Sequence, residues 1–464
     1  MNLTRRSLLI SGALLPIHAA ETFVRVSARD PRYLELTSRA PYIPIGLNLI
    51  APPGNGRDPE SAMSVYQGWL DKLSANGGNY IRAWLSSPFW DTEPARSGQY
   101  DEQKAQLLLR MLAMARQRNI RVKMTIEHFR SIGGAPQPWA DKPLHNTANG
   151  GTASSIEDFF DGEPSRAQFR RKLDWFATRI GSRPEIFAWE LWNEVNAVRG
   201  GNYMAWTEAM LPELHRRFPH NLCVQSLGSF DAARVRPTYE RHSNLPANDL
   251  AQVHRYLDLG ASLDVCHGPV DVLAADAVRE ALAWHPGKPV ILAESGAVEP
   301  RHSGPFKLYA ADKQGTLLHD ILFAPFFAGA AGPGQIWHWD AYVAPNDLWW
   351  HFGRFAEVVK GLDPAAESFT PSMLEHPSLR IYRLTGKRTT LLWCRDPRND
   401  WRAELERAEP PSLLTGLSVE AGKLPAAVRA LDPWNPEAKW VPVRQSKGRL
   451  YLPDFRRSLI LRVG

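Results

Sequence analysis

Residues 187–196 read FAWELWNEVN. An apolar run ends directly on an Asn–Glu pair, Asn193 and Glu194. A carboxylate at the mouth of an apolar strand is either a solvated strand end or a catalytic acid, and the neighbouring sequence decides between them. The same pattern recurs on both sides. Short apolar runs occur at YIPIGLN from Tyr42, YIRAWL from Tyr80, RVKMTI from Arg121 and IFAWELW from Ile186. They continue at LCVQSL from Leu222, DLAQVHRY from Asp249, PVILAE from Pro289 and GQIWHW from Gly334. Helical periodicity fills the gaps. Between Pro59 and Asn76, the residues Ala62, Tyr66, Trp69, Leu70 and Leu73 share one face, with Asp58 as a cap, Pro59 in the first turn and Gly77 as a stop. Between Ser165 and Ile180, the residues Phe169, Leu173, Phe176 and Ile180 do the same, ended by Gly181. Strand and helix alternating through eight such runs predict an α/β fold, a (β/α)8 TIM barrel. A doubly wound sheet is the competing fold, but no Gly-rich phosphate fingerprint opens the first helix.

After Leu362 the pattern changes to short strand-like runs separated by Gly, Pro, Asp and Asn, among them LRIYRLTG, RTTLLWC, KWVPVR, RLYLP and SLILRV. No helix pattern intervenes, so residues 367–464 are expected to form a small C-terminal β-sandwich on the barrel of residues 21–366. Thr22 to Leu36 reads as a hairpin before the first barrel strand. The chain starts MNLTRRSLLISGALLPIHAAE, in which Arg5 and Arg6 precede a short apolar stretch and the small residues Ala19 and Ala20. That layout predicts a twin-arginine export signal over residues 1–20 and a periplasmic or extracellular protein. The stretch is too short to span a membrane.

Composition narrows the function. The formal charge of +6 is spread over scattered Arg, which gives no nucleic-acid patch. Three Cys at 223, 266 and 394 make no disulfide framework or zinc spacing. There is no HExxH or His-x-His, so no metal or cofactor is expected. The expected partner is a carbohydrate, and the chain is expected to be a monomer. Seventeen Trp are many; they serve as core or as flat platforms for sugar rings.

In a (β/α)8 barrel the active site lies at the C-terminal strand ends. The polar residues found there are Arg82, Glu127, His128, Asn193, Glu194, His254, Tyr256 and Glu294, followed by Trp337, His338 and Trp339. Two carboxylates across one barrel mouth suit glycosidic cleavage, one as a protonated acid and the other as an ionised nucleophile. Taken singly, each residue except Glu194 has a blander role as a strand end, packing residue or internal ion pair. Taken together, at the ends of alternate strands in chain order, they favour a site.

AWELWNE at 188–194 and PVILAESG at 289–296 resemble the fourth- and seventh-strand motifs of the clan A retaining glycoside hydrolases, closest to the cellulase-like glycoside hydrolase family 5. The resemblance covers the barrel. It implies Glu194 as acid/base and Glu294 as nucleophile, with Asn193 at the sugar 2-hydroxyl. It further implies substrate binding by Arg82, His128, His254, Tyr256 and a strand-eight platform, Trp337 or Trp339. A β-linked glucan or mannan type substrate would follow, with a transglycosylase or a non-catalytic glycan-binding barrel as alternatives. Glu190 raises a separate question. It shares the strand parity of Glu194, and if buried it needs a partner. Arg82 is a candidate, at the expected cost of its role beside Glu294.

Overall fold

The computed structural model describes residues 22–54, 58–128, 144–198, 200–420 and 427–464, so the expected export signal and Trp139 lie outside the described residues. Three short antiparallel strands come first: β1 (Val24–Val26), β2 (Leu34–Leu36) and β3 (Pro41–Tyr42). In the expected hairpin, Val24 faces Leu36.

Strands and helices then alternate. β4 (Gly46–Asn48) leads to α1 (Pro59–Ala75), β5 (Tyr80–Trp84) to α2 (Glu102–Gln117), and β6 (Arg121–Glu127) to α3 (Ile156–Asp161) and α4 (Glu163–Arg179). β7 (Ile186–Trp192) leads to α5 (Tyr203–Arg217), β8 (Leu222–Val224) to α6 (Arg236–Ser243), β9 (Ala251–Leu257) to α7 (Val270–Ala283), and β10 (Val290–Ala297) to α8 (Thr316–Phe327). β4 to β8 form one parallel sheet in chain order, and β9 pairs with β10 in parallel. Every residue of these strands is buried, as expected for parallel strands covered on both faces. This is why they read as apolar runs.

The helix boundaries have local causes. Asp58 accepts a bond from the Ser61 amide at 3.1 Å, capping α1, and Gly77 follows it with φ +71°. α4 starts at Glu163, two residues before the expected Ser165, with Pro164 in its first turn. Its expected face, Phe169, Leu173, Phe176 and Ile180, is buried.

GQIWHW is not a regular strand. It makes a single parallel bridge, Ile336 to Ser295. Gly332, Pro333 and Gly334 precede it, and a π-helical turn, Trp339–Val343, follows. Only a few residues between them are free to lie extended. Those few bond on both sides. The Gln335 amide donates to Leu292 O and the Trp337 amide to Ser295 O, at 3.0 and 2.8 Å, while Asn48 N donates to Ile336 O at 3.0 Å. Between β8 and β9 the link is thin: Asp249 N donates to Cys223 O at 3.1 Å, and Gln252 Nε2 to Gln225 O at 3.1 Å.

α9 (Trp350–Val359) and α10 (Pro364–Glu367) lead into the C-terminal region. Its strands are β11 (Thr370–Leu374), β12 (Arg380–Thr385), β13 (Thr390–Arg395), β14 (Ser418–Glu420) and β15 (Val428–Leu431). β16 (Val441–Pro442), β17 (Arg444–Ser446), β18 (Arg449–Tyr451) and β19 (Ser458–Val463) complete it. They form two antiparallel sheets, β11-β12-β13-β19-β15-β16 and β14-β18-β17. Ile381, Leu392 and Leu461 from one and Val419 and Leu450 from the other share a buried apolar cluster. A helical turn at Arg402–Glu406 interrupts a region expected to hold strands alone, and α10 ends where that region was expected to begin. The two regions are tied by Arg395, which donates twice to Asp320 at 2.9 Å, and by Arg380 and Tyr382 on Asp271. Trp350 stacks on His351 and meets Trp434 edge-on, so it packs between the regions. Cys223, Cys266 and Cys394 are buried free thiols. Among the described residues, no helix is long and apolar enough to cross a membrane.

Candidate active site

Strands β5, β9 and β10, with the turn just after β7, bring Arg82, Asn193, Glu194, His254, Tyr256 and Glu294 together. Asn193 and Glu194 follow the last residue of β7, where the chain turns sharply. Glu194 has φ 52° and ψ 53°, a left-handed conformation that a side-chain-bearing residue holds only when its surroundings enforce it. The Asn193 amide donates to Glu127 O at 2.8 Å, and the Glu194 amide donates to Ser226 Oγ at 3.1 Å. Glu294 sits at a register shift between β10 and β9, which re-aims its side chain.

Arg82 joins the constellation from below. Its Nε donates to Thr125 Oγ1 at 3.1 Å and to Glu190 Oε2 at 2.9 Å. Its Nη1 donates to Glu294 Oε2 at 2.7 Å, and its Nη2 donates to Asn193 Oδ1 at 2.6 Å. The expected competition between Glu190 and Glu294 for Arg82 is therefore absent. A guanidinium has five donors in one plane, so its Nε/Nη2 edge serves Glu190 while Nη1 serves Glu294. Tyr256 Oη donates to Glu294 Oε1 at 2.6 Å, so both oxygens of Glu294 act as acceptors. Burial pushes the Tyr256 hydroxyl well above its ordinary range, reinforced by Glu294, and keeps it a donor.

Glu194 differs from Glu294. Burial pushes its carboxyl up to about 7, partly countered by His302 and Arg82. Its near partner is His254, whose Nδ1 lies 2.9 Å from Oε1; the same nitrogen is 3.5 Å from Glu294 Oε2. Burial lowers His254 to about 4 against the pull of Glu294, so the imidazole is neutral at ordinary pH. Oxygen and nitrogen atoms of Glu194, His254 and Glu294 all lie within 4.8 Å of one another. Three such groups resemble a metal ligand set, but the Arg82 guanidinium already sits 2.7 Å from Glu294 and would repel a cation placed there.

A cavity of about 450 Å³ opens over the two carboxyls. Asn193, Glu194, Tyr256, Glu294, Trp337 and Trp339 line it, all anticipated from the sequence. Trp84, Val298, the stretch 302–305, His338 and Asp340 also line it. Trp84 and Trp337 meet with ring centres 4.9 Å apart, and Trp337 and Trp339 meet edge-on at 5.7 Å, and both Trp337 and Trp339 reach the cavity. His128 does not line it. It stacks against Trp84 at 5.2 Å, with Nδ1 2.5 Å from Ser86 Oγ. Glu127 faces away, paired with Lys172 at 2.7 Å. Trp192, the residue before Asn193, packs on Phe159, Phe160 and Trp206.

Sequence reasoning missed the 302–305 wall. Its anchor is Asp258, one residue past β9, whose carboxylate accepts from the Gly260 and Arg301 amides at 2.7 and 3.0 Å. His302 Nδ1 lies 3.0 Å from Asp258, and its Nε2 lies 2.9 Å from Ser229 Oγ. Behind the wall, Phe306 meets Trp401 of the C-terminal region edge-on at 5.5 Å. A buried Asp just after a strand was the available signal, but nothing in the sequence ties it to residues more than forty positions later.

No family model matches the sequence, and no curated protein matches it. Solved structures do match. A candidate glycoside hydrolase from Bacteroides vulgatus ATCC 8482 superposes with a TM-score of 0.56 at 12% identity, over 96% of this chain and 82% of that one. A family 5 mannosidase from Rhizomucor miehei gives a TM-score of 0.48 at 16% identity, over 68% of this chain and 85% of that one. At 12% identity the first likeness establishes a shared fold, and the chemistry rests on the side chains above.

Proposed function

We propose that this chain is a retaining glycoside hydrolase built on a (β/α)8 barrel, with the segment 331–337 in the eighth strand position and the two C-terminal sheets packed as an accessory β-sandwich. The observation that carries the reading is the pair Glu194 and Glu294. Their nearest oxygens lie within 4.8 Å, and their environments are opposite. Retention goes with carboxyl groups about 5–5.5 Å apart, whereas inversion needs about 6.5–9.5 Å to admit a water.

Glu194, protonated up to about pH 7, is the acid. Glu294, held by Arg82 and Tyr256 with both oxygens as acceptors, is the nucleophile. In the first step a Glu294 oxygen bonds to the anomeric carbon as the bond to the leaving oxygen breaks, and that oxygen takes the proton of Glu194. In the second step the Glu194 carboxylate takes a proton from water. The water oxygen bonds to the anomeric carbon, the bond to Glu294 breaks, and both residues return to their first states. Asn193, oriented by Arg82, is placed to bond the hydroxyl next to the anomeric carbon. Trp84, Trp337 and Trp339 offer flat apolar surfaces to sugar rings.

The substrate is a β-linked glycoside of the glucan or mannan type, and the protein is exported on its Arg5–Arg6 leader. A panel of aryl β-glucosides, β-mannosides and β-xylosides tests the activity, and NMR of the first-formed sugar tests the stereochemistry. The expected product is the β-anomer. Failure to turn over any of them, or an α-anomer formed first, overturns the reading.

A further inference from the structure

Glu190 takes no part in the two displacement steps, yet it is fully buried on β7 four residues before Glu194. A buried ion pair is a weak source of stability, since an apolar replacement of similar volume often does as well. Its contacts suggest a different use. Glu190 Oε2 accepts from Arg82 Nε at 2.9 Å, lies 2.7 Å from Arg82 Nη2, and accepts from Thr125 Oγ1 at 2.5 Å. Thr125 Oγ1 in turn accepts from Arg82 Nε at 3.1 Å. Gln252 Nε2 donates to the other oxygen at 3.3 Å. One edge of the Arg82 plane is thus pinned by groups from three strands.

The guanidinium is rigid and planar, so pinning one edge sets the direction of the rest. The remaining nitrogen, Nη1, bonds Glu294, and Nη2 bonds Asn193. We infer that Glu190 is a positioning residue: it holds Arg82 so that the guanidinium addresses Glu294 and Asn193 in the geometry the displacement needs. The inference rests on the roles proposed for Glu194 and Glu294.

The groups facing Glu190 are Arg82 and Tyr80 from β5, Lys123 and Thr125 from β6, and Gln252 and His254 from β9, with His242 of α6 and Glu194 beyond them. Glu190 also adds negative charge beneath Glu194 and helps to hold its proton.

Glu190→Gln keeps the shape and one acceptor but removes the charge. In the folded variant kcat is expected to fall by about 10²-fold, the scale of a small misplacement at a reacting centre. KM is expected to stay within about twofold, since the loss falls on the transition state. A carbon-13 carboxyl titration by NMR, which needs no substrate, is expected to place Glu194 below its wild-type midpoint. An unchanged kcat together with an unchanged midpoint overturns the inference, as does a rise in KM at constant kcat. If Glu190→Gln does not fold, Thr125→Val decides. A smaller fall in kcat at constant KM supports the inference, and wild-type kinetics overturn it. If the wild-type chain turns over no glycoside, the proposed function fails, and the titration alone decides whether Glu190 acts on the site.

Discussion

His254 Nδ1 lies 2.9 Å from Glu194 Oε1. Burial keeps the imidazole neutral down to about pH 4 and keeps the carboxyl protonated up to about pH 7. Between those limits one proton lies in a contact between two uncharged groups. A rate profile in pH follows. kcat/KM for a glycoside with a sugar leaving group is expected to fall as pH rises through about 7, because Glu194 then lacks the proton it must give. An aryl glycoside with an acidic phenol leaves without that proton, so its first step is expected to hold up at higher pH. Steady-state profiles with both substrates check this, and identical basic limbs would remove Glu194 from the role of acid.

The same residue couples stability to pH. Its folded-state pKa, about 7, lies above the ordinary value of 4.5, so between these values the folded chain binds a proton that the unfolded chain has released. Stability is therefore lost as pH rises through that window, on the order of 3 kcal/mol for a shift of this size. Glu194→Gln carries no such penalty. Its melting temperature is expected to match wild type near pH 4 and to exceed it near pH 8. Equal melting temperatures at both pH values would mean that Glu194 ionises without cost.

If Glu294 is the nucleophile, Glu294→Ala removes the atom that bonds to the anomeric carbon. Turnover is expected to fall on the order of 10⁴-fold or more, as when a single catalytic side chain is removed elsewhere. The vacated space lies against Arg82 and Tyr256, two donors left without their acceptor. A small anion such as azide or formate suits that space and is expected to restore part of the rate with an activated substrate. Full activity in the variant would sink the assignment.

Much of this arrangement is legible in the sequence, and the exceptions have physical causes. The strands from Gly46 to Ala297 read clearly because parallel strands buried on both faces are near-continuous apolar runs, broken chiefly by the polar residues of the site and its supports. GQIWHW reads less well because Gly332-Pro333-Gly334 and the turn at Trp339 leave it only a few extended residues. In the C-terminal region, β11 went unread because none of its residues is fully buried and it carries no apolar run. At the site, strand-end position pointed to Arg82, Asn193, Glu194, His254, Tyr256 and Glu294. The dual service of Arg82 did not follow from strand parity, since it depends on the width of a guanidinium measured against the gap between two strands. Residues 302–305 were invisible because a loop has no periodicity.

That loop supports the last prediction. Arg301 and His302 both have positive φ, 63° and 58°. Each such residue costs about 1–3 kcal/mol and persists only when its surroundings over-determine it. Asp258 supplies the constraint through the Arg301 amide, the Gly260 amide and His302 Nδ1. Asp258→Ala removes all three bonds at once and lets the backbone relax, so His302 leaves the cavity wall beside Glu194. The bond changes proposed at Glu194 and Glu294 use none of these groups directly, and His302 acts on Glu194 only by moderating its raised pKa. KM for an oligosaccharide that fills the cavity is expected to rise about tenfold, the loss of one good contact. For a small aryl glycoside, kcat is expected to change much less. Asp258→Asn keeps an acceptor for the two amides and is expected to fall between wild type and Asp258→Ala. Parallel kinetics on the two substrates check the prediction, and an equal loss of kcat on both would place Asp258 in the chemistry instead of the wall.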